Sequence, residues 1–463
     1  MPSAEWWLEN LAQRMDDRAT RLERLRAYLD GDAPLPEGAD GVREAYKQFQ
    51  RKARTNFAEV ITDAVADRMI VSNFLVGGSN EDDDTARQIW KSNQLGVWSS
   101  DVHRDMLGLF TGYVTVQPGD DQPVDIVYER PEQVITDHDP RRPNRRRAGL
   151  KIYRDDMDGT DRAFLHGPGV VYRYRRDIPV DEVGRRRPIM TYSGEWVPDG
   201  MVEDTGMSAV AIVPFVNRGG LGEFETHTDI LDRINWNILQ RLVIIAMQAY
   251  RQRAVKGDLD EKDEDGNLID YGRLFKPGPG ALWQLPEGVD LWESAQADMS
   301  GILESAAADL RELAAVTRTP MSQLMPDSQN QSAEGASFAR EGLVFKTEDR
   351  IERAKVSWSE VLRLGFELLR GEGNAPEIDV EFRPPERQSM AERYDALTKA
   401  GDDVPWRTKM TDILGFDGDK VDQMAAQRAE DMMLAATMAA PAEPAPAPGP
   451  ENGTTAGVTG GAA

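Results

Sequence analysis

The sequence predicts an α+β protein in which helix predominates, and three stretches carry that expectation. Residues 228–253 repeat Ile230, Ile234, Ile238, Leu242, Ile245 and Ala249 every three or four positions, the period of one helix face. Residues 332–370 repeat Leu343, Ile351, Ala354, Trp358, Val361, Leu362, Gly365 and Leu369 at similar steps, which makes a helix of roughly 60 Å at ~1.5 Å per residue. Between Gly112 and Phe215 the pattern changes to short β-rich runs separated by Gly, Pro and Asp turns.

The elements follow in chain order. An amphipathic helix is expected from Trp6 to about Tyr28, stopped by Gly31 with Asp32, Pro34 and Pro36 behind it. Further helices are expected over 57–74, 80–94 and 97–110, the second opening on the acids Glu81–Asp84, which suit a helix N-terminus. The β-rich runs are 113–116, 124–128, 133–136, 150–153, 170–174 and 207–213, read as a small, mostly antiparallel sheet. Within the helix 228–253, the run Leu242-Val243-Ile244-Ile245-Ala246-Met247 is apolar on every face, so its own fold or neighbouring subunits must cover it. Arg241 and Arg251 bracket it well inside the ~20 residues a bilayer span needs.

Residues 256–298 are rich in turn formers, with strands expected at 268–271, 281–285 and 289–292. Helix resumes over 299–316 and ends at Thr317-Arg318-Thr319-Pro320; Ser332 is a candidate N-cap for the longest helix. A short extended run, 378–382, precedes small helices at 391–400, 405–414 and 420–438. The Pro, Ala, Gly and Thr of 439–463 predict disorder.

Composition narrows the function. The 463 residues leave room for about three domain-sized units, and 40% hydrophobic content is enough for real cores. Zero Cys removes disulfides, thiolate catalysis and Cys-ligated zinc, in keeping with synthesis in a reducing cytoplasm. Residues 1–10 contain acids and no uninterrupted apolar segment, so no secretory signal is expected. The net charge of −25 argues against a protein that grips nucleic acid through its phosphates. It suits a surface past which DNA slides.

No GxxxxGK[ST], GxSxG or HExxH pattern occurs, and His103, His138, His166 and His227 are scattered, so no enzyme, cofactor or metal centre is expected. The acidic run 258–266 resembles a calcium loop but places Gly272 where the bidentate Glu belongs. Four arginine clusters stand out: Arg141-Arg142, Arg145–Arg147, Arg173 with Arg175-Arg176, and Arg185–Arg187. They suit phosphate, an acidic neighbouring subunit, or plain solvated loop tips.

The order of parts, with Glu129-Arg130-Pro131-Glu132-Gln133-Val134-Ile135, Asp309–Ala314 leading into Thr317–Pro320, and Asn330–Gly335, resembles the portal proteins of tailed double-stranded DNA phages. The resemblance implies a portal fold of wing, stem, clip and crown, assembling as a ring of twelve with a central channel. Residues 1–226 and 333–388 would be wing, 227–255 and 299–318 the stem helices, 256–298 the clip, 319–332 a tunnel loop and 389–438 the crown. Asp327, Ser328, Gln329, Asn330, Gln331 and Ser332 would face DNA. Asp270, Tyr271, Phe275, Lys276 and Trp283 of the clip would meet the large terminase and the head–tail adaptor. Ile234, Ile238, Leu242, Ile245 and Leu310 would pack the stem. Major capsid and scaffolding proteins are further implied partners, and no membrane is. A scaffolding or head–tail adaptor protein without a channel is the alternative.

Overall fold

The computed structural model describes residues 2–35, 44–77, 80–178, 191–249, 253–257, 262, 266, 268–270, 290–293, 299–325, 333–386, 390–401, 403–416 and 418–438. They divide into two compact units, Met1–Arg387 and Gln388–Ala463.

In the first unit, helix α1 (Ala4–Leu29) starts where Ser3 accepts a hydrogen bond from the Trp6 N–H (3.3 Å). Its apolar face serves two cores in succession. Leu8, Leu11, Ala12 and Met15 pack on a sheet, whereas Leu22, Leu25, Tyr28 and Leu29 enter a helical core. After α2 (Glu44–Lys52) and α3 (Phe57–Ala66) the chain forms strand β1 (Val71–Val76), then α4 (Asn80–Ser92) and α5 (Leu95–Gly108). The helix expected over 57–74 therefore stops early. Its last residues pair antiparallel with β13 (Ile378–Phe382), and that distant partner outweighs the local apolar period.

The β-rich region contains two antiparallel sheets. In one, β2 (Thr111–Gln117) lies between β3 (Asp125–Glu129) and β10 (Ile212–Val216). The other runs in sequence order through β4 (Val134–Asp139), β5 (Arg142–Asp155), β6 (Thr160–Gly167), β7 (Val170–Asp177) and β8 (Val197–Pro198), with β9 (Glu203–Asp204) also on β7. Strand β6 was outside the expected runs, and β10 sits several residues later than 207–213.

Next come α6 (Thr228–Ala249), β11 (Arg253–Lys256), β12 (Asp290–Glu293), α7 (Ser300–Thr317), the one-turn α8 (Met321–Leu324) and α9 (Ala333–Arg370). Helix α6 is described as far as Ala249, and Arg253, expected as its last residue, lies instead in β11, which pairs antiparallel with Asp290–Glu293. Helix α9 runs through the largest core, where Trp358 is fully buried against Trp90 and Phe215 (ring centroids 4.9 and 4.7 Å). The second unit contains α10 (Met390–Lys399), α11 (Trp406–Thr408) continuing as a π-turn over Lys409–Ile413, and α12 (Gly418–Met438). Residues 439–463 lie outside the described residues.

Two histidines are sealed inside the first unit. The Trp358 indole donates to His103 Nε2 (2.9 Å), and burial pushes His103 down to about 3. His166 is likewise pushed to about 3, by burial and then by the charge of Lys151. Both folded values lie below the unfolded ~6.5, so the unfolded chain binds more protons between those limits and stability falls as pH falls through that window. Each histidine removes about 2 kcal/mol between pH 7 and 5. Asp105 and Glu129, raised by burial, act in the opposite sense nearer the carboxylate range. Urea unfolding at the two pH values is expected to show a clear loss at pH 5; equal midpoints contradict it.

Candidate functional site: the helical hairpin and its anchor

Helix α6 is held firmly in its first turns. Leu231 and Ile234 are buried in the helical core, and Leu239 is buried as well. The Tyr28 hydroxyl donates to Asp232 (2.7 Å), and Thr55 gives its N–H and hydroxyl to Asn235 Oδ1 (3.0 and 2.9 Å). Past Arg241 this cover thins. Leu242, Val243 and Ile244 are only half-buried, and Ile245 is 51% exposed. Burying such side chains is worth about 25 cal/mol per Å² of apolar surface, so the run has stabilisation left to gain from a partner.

Helix α7 runs back along α6. Arg233 donates to Asp309 (2.8 Å) and Glu312 (2.5 Å), and Asn237 donates to the other Asp309 oxygen (2.6 Å). That order of contacts is the register of an antiparallel pair, and Leu310 and Ile238 pack beside it. At its end, Thr317 donates to the Leu313 carbonyl (2.7 Å), and Arg318 caps the helix at φ +55°, a conformation usually left to Gly or Asn.

The hairpin is tied to α9 by a buried ionic cluster. Glu223 lies just before α6, where the chain passes so close to α5 that a Cβ on Gly222 would stand 2.5 Å from the Gly108 carbonyl oxygen. Its carboxylate meets Lys346 and Arg350 of α9, both at 2.7 Å, and accepts from Asn217 (3.0 Å). Lys346 also donates to the Thr317 carbonyl (2.9 Å) and so joins the end of α7 to α9. Burial works to raise the Glu223 carboxyl, but the two cations outweigh it and hold it below the usual range. Burial lowers Lys346, against the pull of Glu223.

Periodicity names apolar α9 positions on both sides of this cluster but not its members. The available signal is the gap between Leu343 and Ile351: Lys346, Thr347 and Arg350 occupy steps where the stripe demands apolar residues, and all three are buried.

The expected site residues fare unequally. Ile234 is buried, Ile238 and Leu310 are partly buried on the same core, and Leu242 and Ile245 lie on the uncovered part of α6. Asp270 is exposed. Tyr271, Phe275, Lys276, Trp283 and the whole of Asp327–Ser332 lie outside the described residues. Five of the eight described arginines of these clusters pair within the chain, Arg175 with Asp199 (3.9 Å) among them. Arg146 pairs with Glu360 (2.7 Å), Arg147 with Asp137 (2.6 Å), Arg173 with Glu203 (2.6 Å) and Arg176 with Asp161 (3.1 Å). Arg141, Arg142 and Arg145 are exposed, and 185–187 lie outside the described residues. Among the described residues no group of three His, Asp or Glu could hold a metal ion, and no helix is long and apolar enough to cross a membrane.

The geometry defines a helical hairpin anchored at one end in the core, with an apolar run on α6 left half covered at the other. Residues 8–433 match the family model described as phage portal protein, SPP1 Gp6-like, and the chain belongs to that family. It is 22% identical over 420 residues to the portal protein of Mycobacterium phage D29, covering 84% of this chain and 81% of that one. Against the portal protein of Mycobacterium phage L5 it is 23% identical over 419 residues, with the same coverage. Among solved structures, a chain from the virion of a native gene transfer agent particle aligns at 13% identity and a TM-score of 0.45, covering 84% of this chain and 98% of that one.

Proposed function

We propose that copies of this chain, twelve being the expected number, close into a ring around a channel through which double-stranded DNA enters and leaves one vertex of a phage capsid. The observation that carries this reading is the run Leu242–Ala246, apolar on every face yet half uncovered in the single chain. Identical neighbours repeated around an axis would cover it, and heterologous interfaces that close make rings.

The division of labour follows. Helices α6 and α7 form the stem, residues 1–226 and 333–388 the wing, and 389–438 the crown. Residues 256–298 form the clip, which docks first the large terminase and then the head–tail adaptor. Major capsid and scaffolding proteins surround the ring, which assembles in the host cytoplasm and ends in the virion.

Charge supports a channel that does not hold its cargo. Twelve copies would carry about 300 net negative charges, a field that disfavours DNA adhesion. DNA presents one phosphate per ~1.7 Å, so a strongly cationic lining would act as a brake. Residues 327–332 supply short polar side chains instead. Replacing Gln329 and Gln331 with Lys is expected to slow packaging severalfold in a reconstituted assay; an unchanged rate contradicts the low-friction reading.

Leu242→Asp with Ile245→Asp tests the ring itself. The variant is expected to keep its helical content, since neither position belongs to the chain's buried core, and to lose assembly by sedimentation. Rings of normal mass from this variant would remove the argument.

A further inference from the structure

We propose that neighbouring copies meet along the exposed sides of the hairpin, with Asp229 of one copy set between Arg311 and Arg318 of the next and Trp236 lying over Ala308. The inference rests on the ring reading above. All five residues are exposed in the single chain, as is Ala315 between the two arginines.

The levels come from the antiparallel register. Arg233 bonds to Asp309 and Glu312, and Asn237 bonds to Asp309, which puts Asp229 level with Ala315 and Trp236 level with Ala308. Measured along the helix, Arg318 and Arg311 then lie about 4.5 and 6 Å to either side of the Asp229 level. Both distances are within the reach of an arginine side chain.

Within one chain the three charges never meet. Among the described residues Asp229, Arg311 and Arg318 have no ion-pair partner, whereas Arg233, level with Arg311 in this register, is bonded twice. A rotation about an axis parallel to the hairpin preserves height. In a ring, what one chain leaves level but unjoined is therefore brought together by the next. Bulk agrees with charge, because the small Ala308 and Ala315 leave room for an indole beside them.

Arg318 adds an independent sign. It holds a left-handed backbone conformation that disfavours any residue with a Cβ, yet it is not Gly. Thr317 and Thr319 on either side are buried and joined through their hydroxyls (3.0 Å), so the arginine is presented outward in a fixed place. A chain of net charge −25 offers each copy carboxylates to meet.

The test is a charge reversal read by light scattering of the full chain at moderate salt. Asp229→Arg alone, and Arg311→Glu with Arg318→Glu, are each expected to raise the concentration needed for assembly at least tenfold. All three together are expected to bring it back to within about threefold of the unmodified protein. Normal assembly by either reversed variant, or no recovery in the triple, overturns the seam. If the arginine variant assembles normally but loses DNA in filter binding, the arginines serve phosphate and the seam is again overturned. An unmodified protein that stays single defeats the ring reading and, with it, the seam. Arg318→Gly separates assembly from folding: its subunit should unfold at or above the unmodified midpoint while assembling more weakly, and an unimpaired ring counts against the proposal.

Discussion

Trp358→Ala is expected to destabilise the first unit by about 3–5 kcal/mol, the range for deleting a buried aromatic side chain. The indole is fully buried and joins its own helix to three other elements. It belongs to α9, packs on Trp90 of α4 and Phe215 of β10, and donates to His103 of α5. Truncation opens a cavity that these aromatic neighbours cannot fill without leaving their own contacts. It also strips the buried His103 Nε2 of its donor, which by itself costs about 1–3 kcal/mol. Trp358→Phe should fall between, since it keeps much of the packing and loses the hydrogen bond. Urea midpoints of the three proteins check the order. A Trp358→Ala protein within about 1 kcal/mol of the unmodified one would mean that the core closes around the gap.

Glu223→Ala has the second large effect, again about 3–5 kcal/mol, because it leaves Lys346 buried without a carboxylate and Arg350 with only the more exposed Asp349. Replacing all three by apolar residues of similar volume (Glu223→Leu, Lys346→Met, Arg350→Leu) should cost far less, and can even stabilise. The contrast separates a stabilising role from a positioning one. If the cluster mainly fixes how α7 and α9 meet, the apolar triple variant will fold well and still package DNA poorly, since the Lys346 bond to the Thr317 carbonyl is gone. Normal packaging by the triple variant would assign the cluster no such role. The pH dependence has a definite sign. Glu223 is held below its unfolded value, so its contribution is present above about pH 4.5 and is lost as pH falls through the lowered folded value.

What the sequence reveals depends on whether the deciding contact is local. The helices carrying Ile234, Ile238, Trp358 and Leu362 are legible because each buries one face at a constant period. Strand β1 is not, because Val71–Val76 takes its pairing from Ile378–Phe382 at the far end of the unit. The meander was legible in outline, but β6 carries Asp161, Arg162 and His166 among its apolar residues and gives no clean alternation. Asp161 is fully buried between Arg154 and Arg176, a site that only the folded sheet creates. The sequence leaves the arginine clusters open between contacts with other molecules and solvated loop tips, because the carboxylates that pair with them come from other strands and from α9. As for 327–332, its short polar residues have no local signature, and its assignment to the channel rests on kinship with the portal family.

In the proposed ring the uncovered side of α6 is buried by copies of the same chain around an axial opening. Cryo-electron microscopy of the purified full chain, paired with a native mass measurement, tests it most directly. Closed rings with a central hole wide enough for a duplex and a mass near twelve subunits are expected. A particle that remains a single subunit at every concentration and salt, with Leu242–Ala246 open to solvent, would contradict it.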